Sequence, residues 1–218
     1  LLTPLQWPKN AYNCRTRDNT DGYYNSFFGY GTGYSNTTGY LNSFFGETAG
    51  NKNTTGYLNS FFGQGAGYSN TTGNNNSFFG RNAGRGNTTG SGNSFFGWEA
   101  GRSNTVESYN TFVGYNANLD PGASPATNPV THATAIGARA YVAQSYSLVL
   151  GSIAGVNGAG SDTNVGIGTP APVRQLHLKG DNAVFRMDRS ADTAAFMLVR
   201  TDDGGTPLKT FVVGTNAS

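Results

Sequence analysis

The motif Asn25-Ser26-Phe27-Phe28-Gly29 decides the fold, because the chain repeats it at a fixed interval. Seventeen residues separate Asn25 from Asn42, and the same spacing leads to copies at Asn59, Asn76 and Asn93 and to a relaxed copy, Asn-Thr-Phe-Val-Gly, at Asn110. A second motif, Asn-Thr-Thr-Gly, follows in each cycle, at Asn36, Asn53, Asn70 and Asn87. A strict period of this length indicates stacked units, none of which can bury an apolar face alone.

Glycine recurs at three places in each unit when the Asn of the first motif is counted as position 1. These are positions 5, 9 and 15, for example Gly29, Gly33 and Gly39. Regular glycines mark turns that need a positive φ or a close approach of two backbones. The segments between them are too short for helices. The sequence therefore predicts an all-β parallel β-roll or β-solenoid, in which each repeat forms one coil with two short strands and two turns.

The paired phenylalanines at positions 3 and 4 predict self-association. Neighbouring residues of a strand point to opposite faces, so Phe27 and Phe28 cannot both enter one core. One coil has room inside for a single layer of side chains, and the second Phe row would form an exposed apolar patch. A homotrimer, either intertwined or side by side about the rod axis, would cover that row.

Looser repeats after Gly114 suggest which Phe row lies inside. Position 4 stays large and apolar in these repeats, whereas position 3 shrinks to Ala135, Val149 and Gly166. The pattern favours position 4 as the coil core: Phe28, Phe45, Phe62, Phe79, Phe96, Val113, Ile136, Leu150 and Ile167. It assigns position 3 to the trimer interface: Phe27, Phe44, Phe61, Phe78, Phe95 and Phe112.

The repeat pattern divides the chain into three parts. Residues 1–20 form a lead-in segment whose start at Leu1 we expect to be processed or truncated. Residues 21–168 form about nine coils, with a Pro- and Asn-rich loop at 118–129. Residues 169–218 form a small β module. It contains four apolar runs that we interpret as strands, at 175–179, 183–189, 194–201 and 208–213.

Composition excludes several classes of partner. Only 12% of residues are charged and the formal net charge is +2, with no basic run, so nucleic acid is not an expected partner. No apolar span is long enough to cross a membrane as a helix, so no membrane insertion is expected. Cys14 is the one cysteine, which excludes a disulfide within the chain.

Two later segments resemble known fibre proteins. Ala-Thr-Ala-Ile-Gly-Ala-Arg-Ala (133–140) and Ser-Tyr-Ser-Leu-Val-Leu-Gly-Ser (145–152) resemble the head repeats of trimeric autotransporter adhesins. Asn-Val-Gly-Ile-Gly-Thr-Pro-Ala-Pro-Val-Arg-Gln-Leu-His-Leu-Lys-Gly (164–180) is similar to segments that precede the intramolecular chaperone of phage tail fibres and endosialidase-type tail spikes. The resemblance implies a trimeric β-roll fibre, extracellular or on the surface of a virion or cell.

Chemical motifs are scarce. His132 and His177 have no partner at metal-ligand spacing, and the carboxylates Glu47, Glu99 and Glu107 fall at different repeat positions, so we predict no catalytic residues, no metal and no cofactor. Aromatic rings at turn positions can stack on sugars. The candidate ligand-binding residues are Tyr30, Tyr34, Tyr40, Tyr57, Tyr68, Trp98, Tyr109 and Tyr115.

These patterns predict a non-enzymatic structural and attachment protein of a phage tail, a tail-like particle or a bacterial surface. Its expected partners are two further copies of itself and a cell-surface glycan or other surface receptor. One alternative is a tail-spike polysaccharide depolymerase with carboxylates paired across subunits. Another is an ice-binding β-solenoid, suggested by the regular threonine pairs 37/38, 54/55, 71/72 and 88/89.

Overall fold

The computed structural model of the chain describes residues 21–120, 129–155, 158–179, 195–201 and 207–214. All regular secondary structure in these residues is β. Eight three-residue strands form one parallel sheet, in the order β1-β2-β3-β4-β5-β6-β8-β10. Their bounds are β1 Ser26–Phe28, β2 Ser43–Phe45, β3 Ser60–Phe62, β4 Ser77–Phe79, β5 Ser94–Phe96, β6 Thr111–Val113, β8 Thr134–Ile136 and β10 Leu148–Leu150.

Each strand pairs with the next at the same repeat position. Phe27 lies opposite Phe44, and Phe44 lies opposite Phe61. Hydrogen bonds between coils continue beyond the strands, for example from the Gly46 N–H to the Phe28 carbonyl at 2.8 Å. The predicted all-β parallel β-solenoid of 17-residue repeats is confirmed, since every coil is bonded to its neighbours at equivalent residues.

The interior is a set of uniform ladders running along the solenoid. Position 3 phenylalanines are fully buried and stacked, with ring centroids 4.7–4.9 Å apart. Position 1 asparagines are also buried: the Asn59 Nδ2 donates to the Gly73 carbonyl at 2.9 Å, while its Oδ1 accepts from the Asn76 N–H at 3.0 Å. Position 12 asparagines form a second internal ladder, in which the Asn70 Nδ2 donates to the Asn53 Oδ1 at 2.8 Å.

The assignment of the two Phe rows from the sequence is wrong, because the structure reverses it. Position 3 lies inside the coil and position 4 lies outside, as Phe27 at 1% and Phe28 at 61% relative exposure show. Positions 1 and 3 share a face of the strand, so the buried asparagine fixes the phenylalanine two residues later as internal. Glycine at position 9 makes space for that ring: a Cβ on Gly50 would lie 2.4 Å from the Phe44 ring.

The reversed assignment of positions 3 and 4 came from the later coils, whose core is filled by side chains from the opposite side of the coil. Two short strands, β7 Asn118–Leu119 and β9 Tyr141–Val142, pair in parallel at positions 9 and 10. Leu119 and Val142 are buried, whereas position 10 of the preceding coil is the exposed Arg102. These aliphatic side chains supply the volume that is lost where position 3 shrinks to Ala135, so a small position 3 does not imply an outward position 3.

The predicted loop 118–129 begins too early, because Asn118 and Leu119 belong to β7 and are buried. Residues 121–128 lie outside the described residues. The coil is closed again by Val130, whose carbonyl accepts from the Asn110 Nδ2 at 2.9 Å, the bond that position 15 glycines receive in earlier coils.

After β10 the pattern departs from the predicted ninth coil. β11 Val165–Ile167 pairs in parallel with β12 Leu176–Leu178 in a separate two-stranded sheet. β13 Ala195–Thr201 and β14 Pro207–Gly214 coincide with two of the predicted strands and form an antiparallel pair. The predicted strand 183–189 lies outside the described residues, and the three-part division of the chain stays a prediction. In the part of the chain that the structure describes, no helix has the length and apolar character needed to span a membrane.

Candidate binding surfaces

Outward residues of the eight-stranded sheet form one continuous surface, which we name the apolar face. It consists of positions 2 and 4. Position 2 is serine or threonine in seven of the eight strands, and it carries no charge in any of them. Position 4 provides the apolar row: Phe28, Phe45, Phe62, Phe79, Phe96, Val113, Ile136 and Leu150.

Phenylalanines of the apolar row stack on one another while their outer edges face solvent. Centroids of Phe62 and Phe79 are 4.8 Å apart with rings 3° from parallel. Phe45 and Phe96 are about 40% exposed within the single chain, at 38% and 42%. Regular strand spacing imposes this stacking, and the sheet therefore presents an apolar ridge with the same rise as the coil.

Two rows of side chains border the apolar face. The leading rim is position 17, two residues before each strand begins, and the trailing rim is position 6, two residues after each strand ends. The leading rim contains Tyr24, Leu41, Leu58, Asn75, Gly92, Tyr109, His132 and Tyr146. The trailing rim contains Tyr30, Glu47, Gln64, Arg81, Trp98, Tyr115, Ala138 and Ser152.

Both rims are aromatic beside β6, where Tyr109 precedes the strand and Tyr115 follows it. Tyr109, His132 and Tyr146 stack along the leading rim at 4.9 Å between successive centroids. Trp98 and Tyr115 are 4.7 Å apart on the trailing rim, and the Arg139 guanidinium lies 5.7 Å from the Tyr115 ring centre. Beside β4 both rims are polar, with Asn75 before the strand and Arg81 after it.

The eight predicted ligand-binding aromatics do not converge on one site. They are distributed over four rows of the repeat, at position 6 (Tyr30, Trp98, Tyr115), position 10 (Tyr34, Tyr68), position 16 (Tyr40, Tyr57) and position 17 (Tyr109). Their role in binding a ligand stays a prediction.

Stacking within these rows decides what they can offer a ligand. Tyr40 lies between Tyr23 and Tyr57, with centroids 5.0 and 4.8 Å away, so both of its ring faces are covered. Tyr68 is flanked by cations, with the Lys52 Nζ and the Arg85 guanidinium each 5.3 Å from its ring centre. Such rings present edges and hydroxyl groups rather than the open faces on which a sugar stacks.

The carboxylates are engaged singly rather than in a catalytic pair. Glu47 accepts from the Gln64 Nε2 at 2.9 Å, and Glu99 lies 3.2 Å from an Arg102 nitrogen. Glu107 occupies position 15, where earlier coils have glycine, and its buried carboxylate accepts from the backbone N–H groups of Thr105 and Val106. A glycosidase needs two carboxylates facing one sugar ring, and these three contacts show no such arrangement.

The remaining polar candidates are also held by structural contacts. The His177 Nδ1 accepts from the Val173 N–H at 3.3 Å, and among the described residues no group of three His, Cys, Asp or Glu side chains could hold a metal ion. Burial raises the pKa of Tyr141, and the nearby Asp120 carboxylate raises it further.

On the threonine rows, the hydroxyls of Thr37, Thr54 and Thr71 donate to the carbonyl of the next coil at 3.0 Å.

Comparison of the chain with protein-family models, with curated proteins and with solved structures finds no match. The surface geometry alone therefore carries the functional argument. The sequence analysis missed the leading-rim stack of Tyr109, His132 and Tyr146, although the signal was present: each residue immediately precedes the first residue of a coil, so the three must lie above one another.

Proposed function

We propose that the chain is the shaft of a homotrimeric attachment fibre, carried on a phage tail, a tail-like particle or a bacterial surface. The observation that carries this proposal is the contrast between a uniform interior and a varied exterior. Positions 1 and 12 remain asparagine through the regular coils, while outward positions 6, 10 and 17 change from coil to coil. Such a solenoid is a rigid support that can display different side chains at fixed heights.

The length of the rod suits this role. Eight coils with a rise of about 4.8 Å separate the first strand from the last by about 34 Å. Backbone hydrogen bonds join consecutive coils through strands and turns. Three parallel copies would present the same outward residues three times, and avidity of this kind can raise apparent affinity by roughly 10²–10⁴-fold without new contacts.

Single engagement of the carboxylates supports a non-catalytic role. Glu47 and Glu99 lie three coils apart, about 14 Å along the axis. In each threonine pair the first hydroxyl, such as that of Thr54, donates to a carbonyl of the next coil. Only the second threonine, such as Thr55, is exposed. Neither feature favours the depolymerase or the ice-binding alternative.

Retention on cells tests the proposal. The fluorescently labelled full chain is incubated with a panel of bacterial strains that differ in surface polysaccharide, and sedimentation separates bound from free protein. We expect saturable binding to some strains that unlabelled protein displaces. Shortening of the purified polysaccharide would instead identify a depolymerase, thermal hysteresis would identify an ice-binding protein, and no retention on any strain would contradict attachment.

A further inference from the structure

We infer that the apolar face is where copies of this chain meet, packed side by side, parallel and in register. In this arrangement the leading rim of one copy lies against the trailing rim of the next. The inference takes from the proposed function only that the fibre contains several copies. It specifies which surface they use, which is the opposite row from the one that the sequence favoured.

The apolar face exposes a large amount of apolar surface in the single chain. Phe28, Leu150 and Ile136 are 61%, 47% and 41% exposed in the single chain. The apolar face is about 34 Å long and, from the leading to the trailing rim, about 20 Å wide. Its flat area, roughly 700 Å² with the rims included, is close to the ~800 Å² per partner of a stable interface, and a continuous row of apolar side chains runs along its length.

The chemistry and the spacing of the apolar face both fit a second copy of the chain. Positions 2 and 4 of the eight strands contain no charged side chain, so a partner must bring an uncharged surface. The apolar row repeats at the rise of the coil, as the 4.8 Å spacing of Phe45 and Phe62 shows. Another copy of the chain has the same rise along its whole length, so every ring of one copy meets an equivalent site on its neighbour.

The rim residues also bear on the direction of packing. Cyclic packing of parallel copies brings the leading rim of one chain to the trailing rim of the next at equal height. Tyr109 would then face Tyr115 beside β6, aromatic against aromatic, and Asn75 would face Arg81 beside β4, polar against polar. Antiparallel packing about the middle of the rod would join like rims in reversed order and set the polar Gln64 against Tyr115.

Native mass tests the interface. Light scattering of the wild-type chain is expected to give a multiple of 22.9 kDa, with a factor of three for the trimer. The double variant Phe62→Ser/Phe79→Ser is expected to fall to a single-chain mass while its far-UV circular dichroism is unchanged. The matched control Tyr40→Ser/Tyr57→Ser removes two stacked aromatic rings from another row and should retain the wild-type mass.

The two mass measurements test the interface and the existence of an oligomer separately. A monomeric wild-type chain would overturn both the interface and the multi-chain fibre. A wild-type oligomer whose double variant remains oligomeric would overturn the interface alone.

Direction is tested with the wild-type apolar face intact. Spin labels are placed on Glu47→Cys or Arg81→Cys, two trailing-rim sites, in a Cys14→Ser background, and distances between copies are measured by pulsed electron paramagnetic resonance. Parallel packing predicts similar distances at both sites. Antiparallel packing about the middle of the rod would make the Glu47 distance clearly longer, since that site would be offset by about five coils, ~24 Å.

Discussion

Phe61 and Phe62 are adjacent and chemically identical, yet Phe61 belongs to the buried inner row and Phe62 to the partly exposed apolar row of the outer face. The inner row packs against glycine at position 9 and alanine at position 8, and it holds each coil closed. The outer row stacks on itself and contributes little to closing the coil. The comparison teaches that in a solenoid the repeat position, rather than the residue type, decides whether a side chain serves folding or assembly.

Gly63→Ala should produce the largest effect, because it prevents the close stacking of coils that creates both rows. Gly63 has φ +136°, and an added Cβ would lie 2.5 Å from the Gly80 carbonyl oxygen. A clash of backbone with backbone together with this φ is expected to cost about 4 kcal/mol or more of unfolding free energy. Thermal unfolding followed by circular dichroism measures the loss.

The matched control for this substitution is Gly31→Asn. Gly31 has φ +64° and an added Cβ would come no closer than 3.4 Å to another atom, and the same repeat position is occupied by Asn82 at φ +57° and by Asn116 at φ +51° in other coils. We expect a change below about 1 kcal/mol. Equal destabilisation by the two substitutions would contradict the close stacking at position 5.

Asn59→Ala should rank second, because it attacks the inner face through its polar ladder. Removing the amide leaves the Asn76 N–H without the acceptor it has at 3.0 Å, and it removes one of the two bonds that the Gly73 carbonyl accepts, while the bond from the Asn70 Nδ2 remains. A buried orphan costs about 1–3 kcal/mol and a lost hydrogen bond about 1 kcal/mol, so a total loss of about 3 kcal/mol is expected from denaturant unfolding. Ser60→Ala, one residue along on the outer face, is the control, and a similar loss there would show that the ladder does not stabilise the fold.

Leu119→Ala should have a smaller but still clear effect, and it sharpens the comparison between early and late coils. Leu119 and Arg102 share position 10, but Leu119 is buried and Arg102 is exposed. Leu119→Ala should lower the unfolding free energy by about 2–3 kcal/mol, whereas Arg102→Ala should change it by less than about 1 kcal/mol. Both values come from urea titration, and a neutral Leu119→Ala would contradict a core filled from position 10.

Much of the fold was predictable because a strict period determines what lies above what. The spacing from Asn25 to Asn42 was enough to predict parallel coils with equivalent residues in register. The orientation of the Phe pair was harder, because the sequence does not show that Leu119 and Val142 fill the interior from the opposite wall. The better signal was Asn25: a recurring asparagine two residues before Phe27 is suited to an internal ladder, and it fixes position 3 on the same face.

The candidate surface was only partly predictable. Aromatic residues 17 apart, such as Tyr40 and Tyr57, must stack, so their limited ring faces could have been inferred from the spacing alone. The two rims could not be identified before the faces of the strand were known. Once Phe62 is placed outside, positions 17 and 6 follow as the borders of the exposed surface.

The central claim is that the inner Phe row stabilises the coil and the outer Phe row serves assembly. Its most direct test compares the unfolding of Phe78→Ala and Phe79→Ala, at a protein concentration low enough to dissociate the oligomer. Phe78 is fully buried, so its truncation should cost about 3–5 kcal/mol and lower the midpoint of the circular dichroism transition strongly. Phe79 belongs to the outer row, where it is partly exposed and stacks on Phe62 and Phe96, and its truncation should cost about 1–2 kcal/mol under the same conditions. Equal losses for the two variants, or a larger loss for Phe79→Ala, would contradict the account.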